Sequence, residues 1–274
     1  GSNPVLSAKP MWVTASAFFM HEVPMGEKRI DVEICVEASD KAAVQQAAAA
    51  ASAGGAARIE LCADMGNDGL TPAVDLIRVA RAALHGPTQL QVIIRPRGGD
   101  FAYSKQELEL MKQQITQAVD AGADGIVLGV VENGRIPAAT IQPLLQLAHQ
   151  AGCPITFHRA FDTVADSAAA LETLINLGVQ RVLTSGTSWE SRQPVLSGLE
   201  QIQALLDLAQ GRIELVLGGG IQINNVQKVL HALHLGNNLV SVHAYSGVLV
   251  DGQTSATAVA QLCSAASVTY DSQR

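Results

Sequence analysis

Residues 125–158 read GIVLGVVENGRIPAATIQPLLQLAHQAGCPITFH. A short apolar run, Gly125 to Val130, leads into a helical stretch from about Ala138 to Gln150 that stops at Gly152. A second apolar run follows at once, Pro154 to His158. Short continuous apolar runs are what strands look like when both of their faces are covered. A helix between two such strands is the crossover of a parallel pair. The fold class then depends on how often this unit recurs.

It recurs in both directions. Downstream come a helix at Ser167 to Leu177 ending at Gly178, a strand at Arg181 to Thr184, a helix at Gly198 to Ala209 and a strand at Glu214 to Leu217. A helix opening at Asn224-Asn225 runs to about Leu235, followed by a strand at Leu239 to His243 and a last helix at Ser255 to Ala266. Upstream, a strand at Ile30 to Val36 precedes an alanine-rich helix at Lys41 to Ser52, and a second strand spans Arg58 to Cys62. The next helix is expected to start at Thr71-Pro72, a capping residue followed by proline at the first helical position, and to end near His85-Gly86. Then come a strand at Leu90 to Arg95 and a helix with the capping box Ser104-Lys105-Gln106-Glu107, running to Gly122.

Strict alternation gives a parallel sheet, and eight units of about thirty residues favour a single (β/α)8 TIM-type barrel over residues 29–274. An open doubly wound parallel sheet is the alternative. No linker divides the chain. Residues 1–28 read as an N-terminal extension that the pattern determines poorly, beginning with Gly1-Ser2-Asn3 as a cloning remnant. Its apolar run at 12–20 is broken by Thr14 and Ser16 and is too short to span a bilayer. No other segment resembles a membrane span.

The chain has 274 residues, of which 48% are hydrophobic, so a sizeable buried core is expected. A formal net charge of -7 and 4% aromatic residues argue against a nucleic-acid partner, which needs a basic face or stacking platforms. The cysteines, Cys35, Cys62, Cys153 and Cys263, show no tight CxxC spacing. That excludes a zinc knuckle, and four cysteines in so long a chain point to a reducing compartment rather than a disulfide scaffold.

Barrel active sites collect at the C-terminal ends of the strands. Polar residues of shared parity there are Glu33 with Cys35, Glu60 with Cys62, and Arg95 with Arg97. The fifth strand brings Thr156 and His158, then Arg159 and Asp162 in HRAFD; the eighth carries His243, with Ser246 after it. Buried carboxylates need partners, so Glu33, Glu60 and Arg95 are expected to pair across adjacent strands. Arg97 is then left to grip an anion. Arg159 and the glycines Gly218, Gly219 and Gly220 extend that anion site, since loops after the seventh and eighth barrel strands often hold phosphate. In an enzyme, Glu33, Glu60, His158 or Asp162 would move protons. The plain alternative is a charged network that only fills the top of the barrel. The six lysines, Lys9, Lys28, Lys41, Lys105, Lys112 and Lys228, all avoid the strands, which disfavours Schiff-base chemistry.

Cys35 and Cys62 end adjacent strands on matching faces. Two thiols in a shielded site suit soft Cu(I), although buried cysteines are often inert packing.

The segments EICVEA, RIELC, GLTPA, IIRPRGGDFAYS, ITFHRAFD, RVLTSG and GGGI, in this order from about residue 30 to the last strand, resemble the CutC copper homeostasis family. The resemblance implies a (β/α)8-type barrel. It implies a cytoplasmic homo-oligomer, a dimer or tetramer, concerned with copper. It also implies Cu(I) ligation at the positions of Cys35 and Cys62. The charged ring is not explained by copper, so a barrel enzyme acting on a small anionic or phosphorylated metabolite stands as the alternative.

Overall fold

Eight parallel strands close on themselves in chain order: β1 (Asp31–Glu37), β2 (Arg58–Cys62), β3 (Gln89–Ile93), β4 (Gly125–Leu128), β5 (Ile155–Phe157), β6 (Arg181–Thr184), β7 (Glu214–Leu217) and β8 (Val240–Ala244). The computed structural model describes residues 27–269, so the run at 12–20 lies outside the described residues. Closure is made by β8 pairing with β1, with Glu33 opposite His243. The open-sheet alternative is thereby excluded.

The helices α1 (Lys41–Ala53), α2 (Val74–Ala83), α3 (Lys105–Asp120), α4 (Ala138–Gln150), α5 (Ser167–Asn176), α6 (Leu199–Ala209), α7 (Val226–His231) and α8 (Ala256–Ala265) follow their strands. Local sequence sets several starts. Asp40 accepts from the Ala43 N–H, and Ser104 and Glu107 form the expected reciprocal capping box. Strand interiors such as β2 and β4 are buried throughout, because the helix layer covers the face that the lumen does not. Two short antiparallel pairs are added outside the barrel, residues 27–29 with 267–269 and residues 249–250 with 253–254. Among the described residues no helix is long and apolar enough to cross a membrane.

Two helix boundaries differ from expectation. α2 begins at Val74, and Thr71 does not cap it. The Thr71 hydroxyl accepts the Arg95 N–H at 2.8 Å and donates to Gln114 at 3.0 Å, so a bond between loops takes the group that a cap would have used. α7 stops at His231 rather than near Leu235. The Gln203 side chain on α6 takes the His234 N–H at 2.7 Å and draws the chain out of the helix.

The lower lumen is polar. Arg58 reaches Glu33 at 3.0 Å, Glu214 at 2.8 Å and Ser241 at 2.7 Å. Arg181 bonds Thr156 and Gln91, each at 2.9 Å. Arg58 is ion-paired, as a charge this deep requires, and Arg181 is held by neutral acceptors. Here they form a rigid floor under the mouth.

Candidate functional site

Above that floor lies a pocket of about 270 Å³ at the C-terminal ends of the strands. Its wall includes Cys35, Glu60, Cys62, Arg95, His158 and His243. Strand parity aims these side chains inward, as the spacing of Glu33/Cys35 and Glu60/Cys62 requires. The lateral partner of Cys35 in the ladder is Glu60, and that of Cys62 is Glu37. The Cys35 and Cys62 side chains nevertheless meet, because barrel strands run at a tilt.

The two Sγ atoms stand 3.1 Å apart, beyond the about 2.05 Å of a disulfide. A third sulfur joins them. Met65 Sδ lies 3.2 Å from Cys62 Sγ and 3.9 Å from Cys35 Sγ. Met65 sits in a short helical turn, residues 65–67, flanked by Asp64 and Asp68 in left-handed conformations. Its N–H donates to Glu37 at 3.2 Å, and Tyr245 donates to the other Glu37 oxygen at 2.9 Å. The turn is therefore pinned over the thiols. The hydrogen bond from Cys62, then burial, push the Cys35 thiol well above its usual value. A soft cation would replace thiol protons here, and the donor set of two thiols and a thioether fits Cu(I).

One layer down, His243 Nδ1 lies 2.9 Å from Glu33 Oε1 and 3.4 Å from Glu60 Oε2. Burial by itself would raise the Glu33 pKa, but the His243 hydrogen bond and the Arg58 charge outweigh it and hold the carboxyl down at about 2. Burial pushes Glu60 up to about 7; the positive charge of His243 opposes this and the negative charge of Glu33 adds to it. Burial alone would lower His243, yet the Glu33 bond and the two carboxylates raise it. Glu60 Oε2 is buried with no hydrogen-bond partner.

Arg95 is not the partner of Glu33 and Glu60; Arg58 holds that place for Glu33. The Arg95 guanidinium is spent on carbonyls, of Asn67 at 2.6 Å, Gly69 at 3.2 Å and Gly99 at 3.0 Å, and lies over the Phe101 ring. It ties two strand-to-helix loops together and leaves its Nε unpartnered. His158 Nδ1 accepts the Ala160 N–H at 3.1 Å, so the neutral ring carries its proton on Nε2, which is also unpartnered. Burial, then the Arg95 charge, lower His158 to about 3. Gly129 is required beside it, since a Cβ there would come within 2.5 Å of His158 Cε1.

Arg159 lines the pocket, bonded to Asp162 at 2.8 Å and Ser185 at 2.9 Å and lying against Trp189. The Asp162 carboxylate is turned away from the mouth and takes bonds from Arg159, Thr184 and Ser185. Arg97 lies outside the pocket. It bonds Glu107 at 2.6 Å and Asp100 at 2.9 Å and fastens the GGDF loop to the start of α3. Gly219 and Gly220 reach the pocket wall in left-handed conformations; Gly218 does not line it but packs against Leu183.

Sequence reading did not single out Arg58 or Met65, and gave His243 no role in the site. Arg58 shares the parity of Glu60 and Cys62, and Met65 follows Cys62 by three residues. Both signals were present but weak.

The sequence model of the CutC family matches residues 30–244. The mouse copper homeostasis protein cutC homolog is 44% identical over 200 residues, covering 73% of this chain and 68% of that protein. A CutC family protein of Vibrio campbellii is 42% identical over 178 residues, 65% of this chain and 70% of its own. The crystal structure of the CutC from Streptococcus agalactiae superposes with a TM-score of 0.67 at 31% identity, covering 78% of this chain and 98% of that one. A 2-keto-3-deoxy-6-phospho-gluconate aldolase from Zymomonas mobilis, 17% identical with a TM-score of 0.54 over 89% of this chain and 96% of its own, is similar in fold alone.

Proposed function

This chain belongs to the CutC family of copper homeostasis proteins, and from that premise we propose that it binds Cu(I) through Cys35 and Cys62. The observation that carries the reading is the 3.1 Å approach of the two thiols at the mouth of the barrel. Met65 supports it with a third soft donor. The pocket gives copper a way in, and the pinned turn above the thiols limits access by water. The four cysteines are all free, in keeping with a reducing, cytoplasmic setting. A homo-oligomeric state belongs to the same reading, and light scattering on the purified chain tests it.

The test is an anaerobic Cu(I) competition titration against a colorimetric chelator. Tight stoichiometric binding that Cys35→Ser and Cys62→Ser each abolish supports the proposal. Binding indifferent to both substitutions removes it.

One observation favours a second reading, in which the pocket also takes a small organic anion. Arg95 Nε and His158 Nε2–H are unpartnered donors, and both residues, with Arg159, line the same wall. Buried donors left empty cost on the order of 1–3 kcal/mol each, a cost that an oxyanion would relieve. A thermal-shift screen of carboxylates and phosphates against wild type and His158→Ala tests it. A ligand that stabilises both equally would rule out this use of His158.

A further inference from the structure

The pocket holds two donor layers of different chemistry. Cys35 follows Glu33 by two residues on β1, and Cys62 follows Glu60 by two on β2. Side chains two apart on a strand share a face and stand about 6.5–7 Å apart along it. The sulfurs therefore form an upper, soft layer, and oxygen and nitrogen atoms form a lower, hard one.

We propose that Glu33 Oε1, Glu60 Oε2 and His243 Nδ1 form a second metal site, for a divalent cation, one layer below the thiols. All three atoms lie within 4.8 Å of one another. The His243 atom is 2.9 Å from Glu33 and 3.4 Å from Glu60. Ligand atoms bound to one ion at about 2.0–2.2 Å stand roughly 2.9–3.5 Å apart, and both distances from His243 already fall in that range.

The hydrogen bonding of Glu60 points to the same place. Glu60 is 4% exposed, and its Oε2 has no hydrogen-bond partner, although it is one of the three converging atoms. A buried carboxylate oxygen without a partner is costly unless something occupies the space before it.

The surroundings are built to hold the ligands still. The second oxygen of Glu33 is fixed by Arg58, which Glu214 and Ser241 fix in turn. Such outer bonds orient metal ligands and are typical of real sites. Glu60 and His243 line the pocket, so the ion has an open side for solvent or a chelating ligand. Carboxylate and imidazole donors select Mn²⁺, Fe²⁺ or Zn²⁺ over Cu(I), while the thiols above select the reverse. This inference does not rest on the copper reading.

The test titrates Mn²⁺ and Co²⁺ into the full chain and into a Cys35→Ser/Cys62→Ser variant, which has lost the upper layer. Calorimetry with Mn²⁺ should give a single equivalent bound in both. Co²⁺ should show visible ligand-field bands without the near-ultraviolet charge transfer of a cobalt–thiolate bond. Glu60→Gln and His243→Gln should each weaken binding by at least about 10-fold while circular dichroism stays native. The thiol-free variant reads the lower site without the copper ligands, so the two readings can fail separately. No binding to the thiol-free variant at millimolar metal, or binding that neither substitution weakens, overturns the second site.

Discussion

Arg58 Nε donates to Glu33 Oε2 at 3.0 Å inside the barrel, with the Arg58 side chain 5% exposed and that of Glu33 fully buried. This pair joins the barrel floor to the site above, since the other Glu33 oxygen faces His243. Removing one partner of a buried pair leaves an uncompensated charge. Arg58→Met is expected to cost about 3–5 kcal/mol in urea unfolding, and the Glu33→Gln/Arg58→Met double variant less than the sum of the single ones. Additive losses would mean that the two side chains do not depend on each other.

Glu60 sets a pH dependence of definite sign. Its carboxyl titrates near 7 in the folded chain against an ordinary 4.5. The folded state therefore holds this proton more tightly than the unfolded state, and its contribution to stability falls as pH rises between those values. Glu60→Gln removes the effect. Relative to wild type the variant should gain about 3 kcal/mol between about pH 4.5 and pH 8, read from unfolding curves across the range. A difference that is flat with pH would contradict the raised Glu60 value. Glu33 acts in the opposite sense: held at about 2, it stabilises the fold above 4.5, and that stability is lost as pH falls towards 2.

His158 is expected to remain neutral with its proton on Nε2 from about pH 5 to about pH 8, a range in which an ordinary histidine titrates. Long-range nitrogen–proton NMR correlations report both tautomer and charge. A titration midpoint near 6.5 would show that the ring is not buried as described.

Met65→Leu keeps the volume and removes the thioether. If the three sulfurs act together, Cu(I) affinity should fall about 10-fold, far less than on loss of either thiol. The same chelator competition measures it, and an unchanged affinity would leave Met65 as a cover over the thiols.

The repeated strand–helix pattern was enough for the barrel, because each strand is buried on both faces and writes that into its composition. Residues 155–162, ITFHRAFD, and the thiols at 35 and 62 also announced the mouth, since parity along a strand is a local property. Which charges pair was not legible. Arg95 and Arg97 end the same stretch, yet one clasps loop carbonyls inside the pocket wall and the other fastens a helix start outside it. Arg58, at the opposite end of β2 from Cys62, is the residue that meets Glu33. Pairing across a closed sheet depends on stagger and tilt, which belong to the closed ring and to no single strand. Sequence alone determined the order of elements, the parity of the thiols with Glu33 and Glu60, and the family motifs. Only the tertiary structure decided that Met65 joins the thiols, that His243 stands between two carboxyls, and that Glu60 Oε2, 3.4 Å from His243, accepts no hydrogen bond. Glu33 and His243 are 210 residues apart and Met65 reaches Cys35 across 30, so these contacts are set by barrel geometry rather than by local preference.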